Sequence, residues 1–458
     1  MSGQAIPGGP SVSTQLLALA ARPVDASARR RAVLHWIDWM GCVAAGARAP
    51  VAQVLRRTQP TVAATGSIET LLGPARDDWH ATLLDAALAN VEEMDDMHRQ
   101  AILHPSPVVM PALAGLARAG LSADRTLDAV VRGYEAMIRV GRAVGPRHYF
   151  HWHNTATAGV FGAAAACADA MALSPAQAVW ALGNAGTQAS GLWQVRLEPV
   201  MSKQLHTAHA AWAGRSAALL ASHGFTGPER ILEGERGFFA AMCDDARPEA
   251  VLRAEGDWLI HQTSFKPWPA CRHTHATIDC VLALREAAGG PLAFEACEVE
   301  SFRDALAICD NPRPRTRTEA KFSLQYCVAA TALFGALLPE HFDDAQFTRP
   351  DLLAAAARVT LRPASDFDAA YPEHYGARVT LRLADGGHRS HAVVDSLGDP
   401  ERPMAESEVI AKVRTLMDYG GVAPARRDEA LAAATALLEA TPQALAQPFP
   451  RALLRPLF

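Results

Sequence analysis

From residue 14 to about 260, apolar positions recur at three- and four-residue spacing in text dominated by Ala, Leu and Arg, which predicts a long succession of amphipathic helices. Helix-start signals punctuate this region. Ser174-Pro175-Ala176-Gln177 reads as a capping box with Pro in the first helical position, and Thr226-Gly227-Pro228-Glu229 as a second start of the same kind. The stretch from Phe161 to Ala172 is almost continuous Ala with Phe, Cys and Met, lacks a polar face, and is expected deep in a helical assembly where small side chains let helices approach closely. The period changes after Lys266. Residues alternate from Cys297 to Phe302 and from Arg358 to Arg362, while Arg378 to Leu383 and His388 to Val393 flank the hairpin turn Asp385-Gly386-Gly387. Helical text intervenes at Thr277 to Ala287 and Ala320 to Leu337, and returns from Ser407. The pattern therefore predicts a mainly α chain, with a large helical domain over 1–266 and 399–458 and a smaller α+β domain over 267–398.

Composition narrows the classes. Of the 458 residues 50% are hydrophobic and 20% charged, as in ordinary soluble globular proteins. A net charge of -5 argues against nucleic acid bound through a generally basic surface. Eight cysteines without a C-x-x-C pair read as reduced thiols, and the N-terminus has neither the basic region nor the apolar stretch of a secretion signal, so a cytoplasmic location is expected. No apolar run reaches membrane-spanning length, and the Gly/Pro/Ser-rich start reads as flexible.

Five segments concentrate chemistry. Lys266-Pro267-Trp268-Pro269-Ala270-Cys271-Arg272-His273-Thr274-His275 sets a Lys, an Arg, two His and a Cys on a proline-stiffened stretch suited to a polyanion. His273 and His275 lack a carboxylate or Cys pair at ligand spacing, so no metal is expected there. Glu92-Glu93-Met94-Asp95-Asp96 reads either as a solvated helix end or, with His104-Pro105-Ser106 and Ser106 as a cap, as the edge of a cleft holding an imidazole. His153-Asn154-Thr155-Ala156-Thr157 reads as a helix start capped by Asn154, Thr155 or Thr157, whose free N–H groups favour an anion beside His153; a partly buried, backbone-bonded His is the equal alternative. Lys203 and His206 share one helical face with His209, and an ammonium in such apolar text seeks an anion such as a substrate carboxylate. Tyr326 is either a hydrogen-bond donor to a reacting oxygen or, more in keeping with Tyr, a hydroxyl satisfied at a core edge.

These strings, taken in order with Gly133-Tyr134-Glu135, Ala189-Ser190-Gly191-Leu192, Gly224-Phe225-Thr226-Gly227-Pro228 and Lys321-Phe322-Ser323-Leu324-Gln325-Tyr326, resemble the MmgE/PrpD family over nearly the whole chain. That family contains 2-methylcitrate dehydratases, cis-aconitate decarboxylases and an iminodisuccinate epimerase. The resemblance implies a large all-helical domain with a smaller inserted α+β lid domain, a homodimer, catalysis without metal or organic cofactor, and a pocket lined by Asp95, Asp96, His104, His153, Lys203, Lys266, Arg272 and Tyr326. His206, Cys271 and His275 join the expected substrate-binding set. Two departures stand out. Glu93-Met94-Asp95-Asp96-Met97 replaces the family's Asp-Phe-Asp-Asp-Thr, and Cys271 stands where animal cis-aconitate decarboxylases have His. The expected reaction is proton abstraction beside a carboxylate of a small di- or tricarboxylic acid, with His153 as base, His104 as acid, Asp95 or Asp96 orienting an imidazole, and Lys203, Lys266 and Arg272 meeting the developing charge. Dehydration is the leading outcome. Epimerisation, decarboxylation and silent carboxylate binding are the alternatives.

Overall fold

In the computed structural model, which describes residues 9–58, 68–75, 77–198 and 200–458, the chain divides into two units. The first comprises Met1–Val91, Asp95–Thr263 and Glu406–Phe458; the second comprises Glu92–Met94 and Ser264–Ala405. Residues 1–8 of the Gly/Pro/Ser-rich start lie outside the described residues.

The first unit is built of helices around Gly159–Ala170, which is buried along nearly its whole length between Ala123–Ala143 and Lys203–Ser222. Small residues make this possible. A Cβ on Gly214 would sit 2.5 Å from the Ala163 Cβ and 2.6 Å from the Val160 carbonyl, and one on Gly162 would sit 2.5 Å from the Met137 Cβ. The Ala-rich text thus sets how near the helix axes come. Helix Ala26–Gly46 buries Trp36 and Trp39 and packs against Glu406–Gly420, the first of the C-terminal helices. Between them the buried Lys412 ammonium meets Asp38 Oδ1 at 2.6 Å.

Caps explain several boundaries. Ser174 and Gln177 form the expected capping box with Pro175 in the first position of Pro175–Gly186. Thr226-Gly227-Pro228-Glu229 begins no helix. That segment is laid against Pro175–Gly186, where Asn184 donates to the Phe225 carbonyl and a Cβ on Gly183 would meet the Pro228 carbonyl at 2.4 Å, leaving no room for a new helical turn.

In the second unit four strands form one sheet in the order Val359–Pro363, Ala296–Ser301, Ala377–Arg382, His388–Val393; the first pair is parallel and the others antiparallel. Gly386 has φ +79° in the turn joining the last two. Alternation puts Cys297, Val299, Val379 and Leu381 on the face that packs with Cys280, Val281 and Leu284 of helix His275–Ala288. The helical text from Ala320 to Leu337 is broken in two, Arg317–Lys321 and Leu324–Phe334, because the Ser323 side chain caps the second by accepting from Tyr326 N.

Gly214→Ala is expected to force Lys203–Ser222 away from Gly159–Ala170 and to destabilise the protein by about 1–3 kcal/mol. Urea unfolding checks this, and an unchanged midpoint would refute the close-packing account.

Candidate active site

In the first unit the acidic segment is no solvated helix end: Asp95 and Asp96 are fully buried in irregular chain. Burial alone would push the Asp96 carboxyl up. Hydrogen bonds outweigh it and hold the group below the usual carboxylate range, since His35 Nδ1 lies 2.7 Å and the Tyr134 hydroxyl 2.6 Å from Oδ2, while Ser106 N donates to Oδ1 at 3.0 Å. The expectation that Ser106 caps its own helix is corrected here. Helix Ser106–Arg118 has no side-chain cap from Ser106, and the Asp96 carboxylate takes that part from ten residues upstream.

Asp95 and Asp96 both orient His104. Its Nδ1 lies 2.8 Å from the Asp96 carbonyl and 3.1 Å from Asp95 Oδ2, and its backbone N–H donates to Thr155 Oγ1 at 3.1 Å. A carbonyl oxygen can only accept, so the proton resides on Nδ1 and the lone pair of the neutral ring on Nε2. Among the described residues no hydrogen bond reaches that Nε2.

His153 lies buried next to this pair, with its Nδ1 3.2 Å from His206 Nδ1 and its ring 4.3 Å from that of Trp193. Burial lowers its pKa well below the ordinary value, and the charges of Lys203, His206 and His104 push the same way, so His153 is neutral at physiological pH. His206 is lowered to about 4 by burial, then by Lys203 and His209. Lys203 opens helix Lys203–Ser222, one turn before His206. The expected cap from Asn154, Thr155 or Thr157 at the 153–157 turn does not form. Helix Asn154–Thr157 is only four residues long, and Asn154, Thr155 and Thr157 engage the Ala101 carbonyl, His104 N and His148 Nε2 respectively. His209 instead donates to the Gln188 carbonyl.

The remaining nominated residues belong to the second unit. Lys266 is fully buried and pairs with Glu93 Oε2 at 3.3 Å; Glu93 itself adopts φ +56°, a left-handed conformation costly for a non-glycine residue. Arg272 forms an ion pair with Asp399 and donates to His275 Nδ1 at 3.0 Å, while His275 Nε2 donates to the Ala270 carbonyl at 3.1 Å. His275 is therefore a brace of its own turn. Cys271 Sγ lies 3.3 Å from His273 Nδ1. Of the two readings of Tyr326 the core one holds, against the pocket place that the resemblance implied: its one O–H donates to the His341 carbonyl and burial pushes its pKa up.

Residues 13–251 match the MmgE/PrpD N-terminal domain and residues 268–437 the MmgE/PrpD C-terminal domain. The chain belongs to the MmgE/PrpD family. Relatives in the family include the cis-aconitate decarboxylase-like protein oryM of Aspergillus oryzae, 28% identical over 73% of this chain and 75% of that protein. Cis-aconitate decarboxylase of Aspergillus terreus is 24% identical over 87% of this chain and 86% of its own length, and the human cis-aconitate decarboxylase 24% over 73% and 72%.

His35 and Trp193 escaped the sequence reading, and Tyr134 was named only within the string Gly133-Tyr134-Glu135, without a place in the site. His35 and Tyr134 hold Asp96 from two different helices, and Trp193 lies against His153; the Gly191 two residues before Trp193 has φ +118°, and its carbonyl receives His153 N. Among the described residues one group, His374, Asp395 and Glu401, could hold a metal ion, and it contains no nominated site residue. No helix in the described residues is long and apolar enough to cross a membrane.

Burial lowers His35 to about 4 and His98 to about 3, alongside His206. A folded state that refuses protons loses stability once the unfolded chain accepts them. Stability is therefore complete above the unfolded value near 6.5 and declines as pH falls toward 4, each such imidazole adding up to about 1.4 kcal/mol per pH unit. Urea midpoints between pH 7 and pH 5 check this; His35→Asn should flatten the slope, and a flat wild-type profile would contradict it.

Proposed function

We propose that the chain is a cofactor-independent carbon–oxygen lyase, 2-methylcitrate dehydratase-like, which removes a proton beside a carboxylate of a small di- or tricarboxylic acid and eliminates water. The observation that carries this reading is the Asp95–His104 couple, with the imidazole proton held on Nδ1 and Nε2 left to accept. That is the arrangement of an oriented base. The base is therefore assigned to His104, the reverse of the sequence expectation. On taking the substrate proton the ring becomes an imidazolium beside the Asp95 carboxylate. The electron pair left on carbon moves into the adjoining carboxylate, where the Lys203 ammonium and an N–H of neutral His153 oppose its charge, until the His104 imidazolium returns its proton to the hydroxyl, the C–O bond breaks, water leaves and the pair closes the new alkene. The first carboxylate contact is assigned to Lys203, whose charge acts on both His153 and His206; Lys266 and Arg272, in the second unit, are engaged by Glu93 and Asp399.

Decarboxylation is the second reading, favoured by the activity in the names of the fungal and human relatives. Epimerisation shares the abstraction step. Proton NMR in deuterated water separates the three with citrate, 2-methylcitrate, cis-aconitate and iminodisuccinate as substrates. A new alkene with water lost supports the proposal, whereas carbon dioxide release or deuterium uptake without elimination replaces it. His104→Gln should lower turnover by about two to four decades while the circular dichroism spectrum is kept. Asp95→Asn should lower it less and shift the acid limb of the rate profile, and full activity in both variants would end the assignment.

The homodimer is supported by exposed Leu192, Leu197, Met201 and Leu205, with Leu197 77% exposed, a run of apolar side chains that a lone subunit would leave to water. Leu197→Glu with Leu205→Glu should give a monomer by light scattering, and a wild-type protein already monomeric would refute the pairing.

A further inference from the structure

We propose that Cys271 is a covalent modification site, at which a Cys271–His273 couple adds to small conjugated unsaturated carboxylates. The sulfur lies 3.3 Å from His273 Nδ1. The other ring nitrogen, Nε2, is buried without a hydrogen-bond partner, so nothing in the described residues ties the imidazole to a structural acceptor. Aromatic rings surround it instead, with centroids of Tyr375 at 5.2 Å, Phe302 at 5.5 Å and Tyr371 at 6.5 Å.

The surroundings support the same pair. Cys309, at the end of helix Arg303–Cys309, packs with Cys271, and its thiol serves as a hydrogen-bond partner to the Cys271 sulfur. Burial alone would raise the Cys271 thiol, yet Cys309 and the charge and hydrogen bond of His273 lower it well below the ordinary value. Backbone bonds from Cys271 N to the Lys321 carbonyl and from Thr274 N to the Cys271 carbonyl fix the sulfur's position. Cys271 retains 7% exposure, whereas Cys309 has none. The contrast is Cys243, which is more open and has His148 Nδ1 at 3.4 Å, but that nitrogen donates to the Met242 carbonyl at 2.9 Å and has no lone pair for the thiol proton, while burial and the Asp245 and Asp244 charges push this thiol up to about 12.

The step balances without an oxidant. His273 Nδ1 takes the thiol proton, the sulfur forms a bond to the β-carbon of the alkene, the π pair moves to the α-carbon, and that carbon takes the proton back from the imidazolium to leave a thioether. An unsaturated acid is the product class of the elimination proposed above, so the source of the electrophile rests on that reading; the reactivity of the sulfur does not.

The test uses the full chain without substrate, treated with maleate or with N-ethylmaleimide as its neutral analogue, followed by peptide mass spectrometry. Both probes should label Cys271 first at neutral pH, with the mass of the whole probe added, and Cys243 only at alkaline pH. His273→Phe keeps an aromatic ring and should slow Cys271 labelling about tenfold or more while moving its pH dependence upward. Cys271→Ser should abolish the early label. Equal rates at Cys243, or no slowing in a folded His273→Phe variant, would overturn the couple; labelling by the maleimide alone would overturn the carboxylate class. A chain that labels at Cys271 but converts none of the acids would sink the lyase reading and leave this one standing.

Discussion

A carboxylate withdrawn from water is costly by several kcal/mol unless hydrogen bonds replace its hydration. At Asp96 that replacement also organises the first unit. His35 reaches it from Ala26–Gly46, Tyr134 from Ala123–Ala143, and Ser106 N from the start of Ser106–Arg118, so three helix positions are referred to one anion. The main-chain carbonyl of the same residue then receives the His104 proton. Packing and chemistry meet there, and an error of a few tenths of an ångström at any of those helices would be felt at the imidazole.

The tautomer of His104 follows from this arrangement without any appeal to its pKa, because a carbonyl can accept but never donate. His153 is made a different group by a different means. It has the same side chain, yet burial beside an ammonium keeps it neutral, and the adjoining Trp193 and His206 leave its ring little freedom. Two histidines thus acquire separate surroundings, and the proposed proton transfer draws on that difference.

Much of the architecture was legible in the letters. The limits of the four strands in the second unit fall within a residue of the alternating stretches, and the Ser174 capping box forms as read, since both rest on short-range geometry, whereas the short antiparallel pair Ile68–Thr70 and Gly73–Ala75 lies in text read as helical. The misreadings have long-range causes. Thr226-Gly227-Pro228-Glu229 carries a start signal, but the neighbouring helix occupies the space a new one would need. Glu92 to Asp96 looked tolerable only in water because the cations and donors that bury it lie far away in sequence: Arg317, Lys321 and Lys266 for the glutamates, His35 and Tyr134 for Asp96. For the same reason the histidines were identifiable as candidates but their division of labour was not.

The three residues Glu92–Met94 are counted with the second unit although the chain on both sides of them belongs to the first. Glu92 lies 2.6 Å from the buried Lys321 ammonium, and Glu93 is the partner of the buried Lys266. The stretch Ser264–Ala405 is therefore not an interchangeable module. Grafted alone onto another helical host, it would carry two ammonium groups whose counter-charges had been left behind in the donor gene, so recombination can transplant it only together with a tripeptide encoded some 170 codons upstream, about the separation between Glu93 and Lys266.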